Sequence, residues 1–399
     1  MLSKWFPDTF TAIRRVVLAA LLVLYVVFLV FFNQIPKTTI VDYSGRTFAR
    51  ASVVEIVKDN LASNGQRYGN QIVNLQVLEG KYKGRVMTAT SSDGFLVGAV
   101  CKVGMEVVAM ISVSGDTSVV TVYSPNRQVA LYGFVGAFLL VLWMVGGKKG
   151  IRSAIALLFT FSSIIFLYLP MIYRGFSPFW GAVLISVFTT IVSLYIIGGY
   201  TVKVLSGILG TIFGIVIAGV AAALFGQVAG ISGYNVSNID TLVLIGQNTH
   251  IQIGDLLFAG ILFSSLGAVM DVGYSIASAI DEISEQNATI SPKQLFMSGI
   301  HVGRDMTGTM CNTLILAFAG GMLSTLVTLY AYNQPFLQTI NSYDVGIDIM
   351  ESLSGSFGVI LAVPMVALVS SRLIPILRTR RLKKQMLQKT SGTPTDLVH

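Results

Sequence analysis

Eight long apolar runs, punctuated by short clusters of lysine and arginine, constrain this chain more than any other feature. They fall at 16–32, 129–145, 151–173, 179–200, 204–230, 255–275, 310–330 and 353–374. A helix of about 20 apolar residues crosses the hydrocarbon core of a bilayer, where every backbone polar group must find its partner within the protein. Only 12% of the residues are charged, against roughly 25% in a typical soluble domain. The expectation is an α-helical polytopic membrane protein with about eight transmembrane helices and the lipid bilayer as its first partner.

The formal charge of +8 invites comparison with nucleic-acid binders, but its distribution argues against them. Lys4, Arg14 and Arg15 precede the first run, Lys148, Lys149 and Arg152 follow the second, and Lys203 follows the fourth. Arg378, Arg380, Arg381, Lys383 and Lys384 follow the last. By the positive-inside rule this pattern puts both termini in the cytoplasm and excludes a nucleic-acid partner. Asn33-Gln34-Ile35-Pro36 offers no small-x-small cleavage site, so the first run reads as an uncleaved anchor.

Between the first two runs the composition becomes that of a soluble domain. Short β-rich runs alternate with turn signals at Asn64-Gly65, Glu79-Gly80, Asp93-Gly94 and Gly115-Asp116. Five or six strands in this length suit a small barrel, OB-like or SH3-like. The expected division is 1–35 as anchor helix, 36–127 as an extracytoplasmic β-rich, barrel-like domain, 128–376 as polytopic core and 377–399 as a basic cytoplasmic tail.

Polar chemistry concentrates between 270 and 318. An apolar helix carrying Asp271 continues into an amphipathic segment with Ile276, Ile280 and Ile283 on one side and Ser278, Asp281, Glu282 and Glu285 around the other. Ser291-Pro292 starts the return helix, with serine at the N-cap and proline in the first turn. That helix bears His301, Gly303, Arg304, Asp305, Thr307, Gly308, Thr309 and Asn312. Counting 1.5 Å per residue, Asp271 and Arg304/Asp305 reach about one depth in an antiparallel hairpin.

Three readings stand. Asp271, Arg304, Asp305, Thr309 and Asn312 line a substrate or ion pathway, arginine suiting an anion and a carboxylate a coupling proton. Alternatively, the charges form a buried ion-pair network that fixes helix register. In the third, 292–305 lies flat in the interface with Arg304 on lipid headgroups. Gly303 and Gly308 fit a broken helix, or equally a close-packed one. Two GxxxG spacings, Gly210/Gly214 and Gly226/Gly230, fit tight helix packing.

His301 and Asp305 stand at i, i+4, but no third ligand accompanies them and no metal or other cofactor is expected. Asp344, Asp348 and Glu351 give an acidic face near the outer end of the last run, and Pro364 is expected to kink that helix. Cys101 and Cys311 fall in different predicted compartments, which argues against a disulfide.

LGAVMDVGYSIASAI (266–280), GRDMTGTMCNTLILAF (303–318) and GSFGVILAVP (355–364) closely resemble the membrane core of the YibE/F-like proteins of bacteria. The resemblance covers roughly 130–375. It implies a bacterial plasma-membrane protein whose positions of interest are Asp271, Gly303, Arg304, Asp305, Gly308 and Asn312. An acid at Asp255 is not part of the pattern. Because family members come in longer and shorter forms, the resemblance also implies a paralogous membrane partner or a homo-oligomer.

The expected function is a transporter or permease subunit for a small polar or anionic solute of unknown identity. The alternative is a non-enzymatic assembly or sensory protein that binds a partner or envelope component through its outer β-domain. No nucleophile–base pair, phosphate loop or pair of catalytic acids can be assembled, so no enzyme is expected.

Overall fold

The computed structural model describes residues 20, 23–41, 44–64, 66–92, 97–114, 117–287 and 289–390, with backbone alone at 114, 117 and 378–390. Lys4, Arg14 and Arg15 and the end of the basic tail, 391–399, lie outside the described residues. The chain divides into two compact units, 39–145 and 1–38 together with 146–399.

In the first unit, strands β1 (Arg46–Lys58), β2 (Gln71–Val77), β3 (Val86–Ser91), β4 (Glu106–Ser114) and β5 (Thr117–Pro125) close a barrel in the order β1-β2-β3-β5-β4. All neighbours are antiparallel except β3 and β5, which meet in parallel at Thr90 and Thr121. This is the arrangement of an OB-like barrel, and it decides between the two barrel types the sequence allowed. Alternation drives it: Ala49, Ala51 and Val53, then Val73, Leu75 and Val77, then Val107, Ala109 and Ile111, turn inward and are buried. β1 serves two neighbours, and register shifts between Val53 and Glu55 and between Ile56 and Lys58 let it bend to do so. Gly98 is required where it stands. Its φ is +102°, and a side chain there would strike the Ser92 carbonyl.

The helices, in chain order, are α1 (Val23–Phe32), α2 (Gln128–Tyr173), α3 (Pro178–Gly198), α4 (Val202–Ala229) and α5 (Ile239–Asn248). After them come α6 (Leu256–Gln286), α7 (Pro292–Gly321), α8 (Leu323–Ala331), α9 (Phe336–Ile340) and α10 (Tyr343–Thr390). Among the described residues five helices are long and apolar enough to cross a membrane, or six when α7 and α8, bent by 60°, count as one span. That number is smaller than the eight runs for identifiable reasons. The runs 129–145 and 151–173 share α2, which is interrupted by non-helical Gly147 (φ 52°, ψ −132°), and the first run, of which 16–19 and 21–22 lie outside the described residues, contributes only α1.

α2 widens into a π-helical turn at Ile164–Tyr168 just before Pro170. Proline has no N–H to offer the carbonyl four residues earlier, which here belongs to Phe166. Asn33, just after α1, donates from Nδ2 to that oxygen at 2.7 Å. Tyr25 Oη lies 2.8 Å from Ser163 Oγ, and Arg174 donates to the Phe32 carbonyl at 2.8 Å with its guanidinium over the Phe32 ring. α1 is thus tied along α2 by polar bonds near both of its ends.

The core of the second unit is α4, α6, α7 and α10, with α3 against α4 and α6. Small residues let these backbones approach. A Cβ on Gly210 would overlap Val366, and one on Gly214 would come within 2.9 Å of the Gly358 carbonyl. The second GxxxG pair divides its roles: Gly226 packs on Phe258, whereas Gly230 is the left-handed C-cap of α4. α10 continues through Pro364 and Pro375 as one helix, and a short apolar stretch, 242–245, within the otherwise polar sequence 231–253 lies in helix α5.

Candidate functional site

α6 and α7 form an antiparallel hairpin whose register can be read from close contacts. Gly299 faces Ile280 and Ala367, Gly303 faces Ile276 and Val363, and Gly355 of α10 lies against Ser265 and Leu314. Contacts 280/299, 276/303 and 265/314 therefore mark three successive levels. On that register Asp271 shares its depth with Gly308, at the middle of α6 and roughly 22 Å from either end. Arg304 and Asp305 lie about one helical turn away, toward the end that carries Lys203 and Pro292.

Local sequence explains the hairpin. Ile276 and Ile280 are fully buried, and Glu282 and Glu285 are exposed. Ser291 caps α7 by accepting from the Gln294 backbone, and the Gln294 side chain accepts from Ser291 N in return. α7 then runs unbroken from Pro292 to Gly321. Residues 292–305 are therefore collinear with the rest of the helix and do not lie flat as a separate interfacial segment. Of the two alternatives left open for Gly303 and Gly308, the broken helix is not found. The bend comes at Met322, and the two glycines differ in kind: Gly303 is a tight contact with α10, whereas a Cβ on Gly308 would meet nothing within 4 Å.

The two faces of α7 contrast. Leu295, Gly299, Gly303 and Leu314 are buried, while His301, Arg304, Asp305, Gly308, Thr309 and Asn312 are exposed. Asp271 is exposed on α6, in line with Gly260, Ser264 and Gly267, which are exposed as well. Thr307 donates to the Gly303 carbonyl at 2.7 Å and Thr309 to the Met306 carbonyl at 2.9 Å, so both hydroxyls bond back to their own helix.

Asp271 makes no ion pair with Arg304 among the described residues, and neither does Asp305. In this unit the charges that meet are Lys203 and Asp281, 3.3 Å apart. The ion-pair network that would fix register is therefore not formed by Asp271, Arg304 and Asp305. Register comes from glycine-to-isoleucine packing, and the polar residues are left presented on a surface. His301 and Asp305 have no third partner: among the described residues no group of three His, Cys, Asp or Glu side chains could hold a metal ion.

Two further features carried no clear signal in the sequence. Asp255 accepts from Ser177 Oγ at 3.1 Å and lines a cavity of about 430 Å³ with Tyr234, Gln247 and Gln252. A neighbouring cavity of about 480 Å³ is lined by Thr38, Tyr173, Arg174, Asn248 and His250. α5 contributes to both, and an apolar island inside a polar loop was the one hint of it. Second, the hydroxyls of Ser186, Thr190, Ser206, Thr211 and Ser370 are buried without a hydrogen-bond partner. Extending the Gly210–Val366 contact by one turn brings Ser206 and Ser370 to one level.

The YibE/F-like protein family model matches residues 134–376, from within α2 to near the end of the apolar part of α10. The chain belongs to the YibE/F-like family. No curated protein and no solved structure matches it. The match takes in the whole α6–α7 hairpin, so Asp271, Arg304, Asp305, Thr309 and Asn312 all lie inside the YibE/F-like region, while the barrel and α1 lie before it.

Proposed function

We propose that this YibE/F-like protein is a transporter or permease subunit of a bacterial plasma membrane, moving a small polar or anionic solute. In this reading both termini are cytoplasmic, the barrel is extracytoplasmic, and Asp271, Arg304, Asp305, Thr309 and Asn312 line the route. One observation carries it: the exposed face of α7 is polar and charged near mid-helix, where an exterior in contact with lipid should be apolar. Ionisable residues at such depth are costly and serve pathways, relays or partners. Arg304 offers a two-point donor to phosphate or carboxylate, and Asp271 stands one turn away as the candidate proton carrier.

The test is thermal stability in nanodiscs against a panel of inorganic phosphate, carboxylates, nucleotides and metal ions, with wild type and Arg304→Gln side by side. A ligand at 100 times its dissociation constant stabilises the native state by about 2.7 kcal/mol. The expected result is a ligand that raises the wild-type melting temperature and leaves the variant's unchanged. A ligand that stabilises both equally counts against a route at Arg304.

The barrel motivates a second reading, a sensory or assembly protein that binds an envelope component. The observation behind it is the OB-like closure, together with a polar ladder across β1–β2–β3 in which Thr88 donates to Asn74 and Asn74 to Glu55. In that case deleting 37–127 should abolish function and Arg304→Gln should be mild.

A further inference from the structure

The exterior of the second unit is apolar on every long helix except the α6–α7 hairpin. α3 exposes Trp180 and Leu184, α4 exposes Leu209, Val216, Val220 and Leu224, and α10 exposes Leu353, Phe357, Ile360 and Leu361. Over the corresponding middle of α7 the exposed residues are His301, Arg304, Asp305, Gly308, Thr309 and Asn312. Lipid suits the first three surfaces and does not suit the fourth, since a charge facing hydrocarbon costs several kcal/mol. Among the described residues nothing neutralises the α7 face: neither Arg304 nor Asp305 has an ion-pair partner there.

We propose that a second copy of this chain covers that face, in a two-fold dimer seamed along α7. The face is suited to itself. A two-fold axis along the membrane normal brings each residue to the depth of its own counterpart. Arg304 of one copy then lies within one residue's rise of Asp305 of the other, and the pairing repeats on the far side of the axis. Gly308, one turn further on, has open space over its α-carbon, so two α7 backbones can approach there. Thr309 and Asn312 supply the hydrogen-bonding groups that associate helices in lipid. The proposal rests on the transport reading for its consequence: the route is completed by groups from both copies and is incomplete in one.

The test uses the full chain in nanodiscs and native mass spectrometry of the detergent-released protein. Wild type should have the mass of two chains. Arg304→Asp and Asp305→Arg each place like charges across the seam, so each variant alone should associate at least tenfold more weakly. Co-expressed with different tags, the two variants should pair with each other and co-purify. As a check independent of folding defects, Gly308→Cys and Asn312→Cys, each combined with Cys311→Ser, should form disulfide dimers in native membranes, and Leu353→Cys on α10 should not.

A monomeric wild type, or a dimer in which neither charge reversal nor α7 cysteines register, overturns the proposal. So does a complex with a different protein, with the α7 cysteines cross-linked to that protein. The two readings fail separately. A monomer whose ligand-induced stabilisation is still lost in Arg304→Gln removes the dimer and keeps the route, whereas a dimer without any ligand response does the reverse.

Discussion

Gly303 and Gly308 stand five residues apart on α7 and should respond oppositely to the same change. A Cβ at Gly303 overlaps Val363, a branched side chain with little freedom to move. Gly303→Ala should therefore lower stability by about 1–3 kcal/mol. Within its own chain Gly308 has open space and helical geometry, so Gly308→Ala should raise the stability of a single, dissociated copy by up to about 1 kcal/mol. Melting of the two variants as dissociated single copies in one detergent decides it, and a loss at both positions would mean that Gly308 is covered by its own chain. From sequence these glycines were indistinguishable, because what separates them is Val363, some sixty residues away. Arg304 and Asp271 were legible as candidates, since charge inside an apolar chain is visible without a fold. Their lack of mutual pairing was not legible, because one turn of helical offset decides it.

Among the elements, α1 and α2 show how one local rule sets a tertiary bond. Pro170 frees the Phe166 carbonyl, and Asn33 donates to it. Asn33→Ala should cost about 1–2 kcal/mol, because the abandoned carbonyl is left without its partner. Replacing Pro170 by alanine in the same chain should recover part of that loss, and thermal melts of the three proteins read it directly.

The barrel gives a prediction of a different kind. Hydrogen bonds from Gln71 and from Arg67, which also pairs with it electrostatically, hold the Asp59 carboxyl below its usual range, and Arg50 does the same for Glu79. Lowered carboxylate pKa values contribute stability that is present above the unfolded-state values, near 4. That contribution is lost as pH falls through the lower folded-state values. The barrel transition, followed by its β-sheet circular dichroism, should therefore weaken below about pH 4.5. Asp59→Asn and Glu79→Gln together should flatten that dependence, and an unchanged pH profile would show that these contacts are not populated. The strands themselves were legible from alternation and turn residues. The parallel β3–β5 closure, which makes the barrel OB-like, was not, because pairing between distant strands leaves no local pattern.

For the whole molecule, the apolar runs correspond to five or six helices long and apolar enough to cross a membrane among the described residues, where eight were expected, and the YibE/F-like match shows the family over residues 134–376. The continuity of α7 from Pro292, the bend at Met322 and the union of two runs in α2 were beyond the reach of hydropathy. Hydropathy reports which residues tolerate lipid, not where a helix stays unbroken. The exposed face without large apolar side chains is wider than the motif: the α6 line of Gly260, Ser264, Gly267 and Asp271 is exposed as well as the α7 residues.

The central claim is that the exposed face of α7 meets water or polar groups and not lipid. The most direct measurement is the labelling rate of single cysteines at 309 and 312, which line the proposed route, with a small, permanently charged thiol reagent. Cysteines at 353 and 357 of α10 serve as the comparison. All are made with Cys311→Ser in reduced nanodiscs, where Cys101 stays silent because burial inside the barrel pushes its thiol up. The account predicts rapid modification at the two α7 positions and little at the two on α10. Equal, slow labelling of both helices would contradict it and make the polar face of α7 a lipid-facing surface.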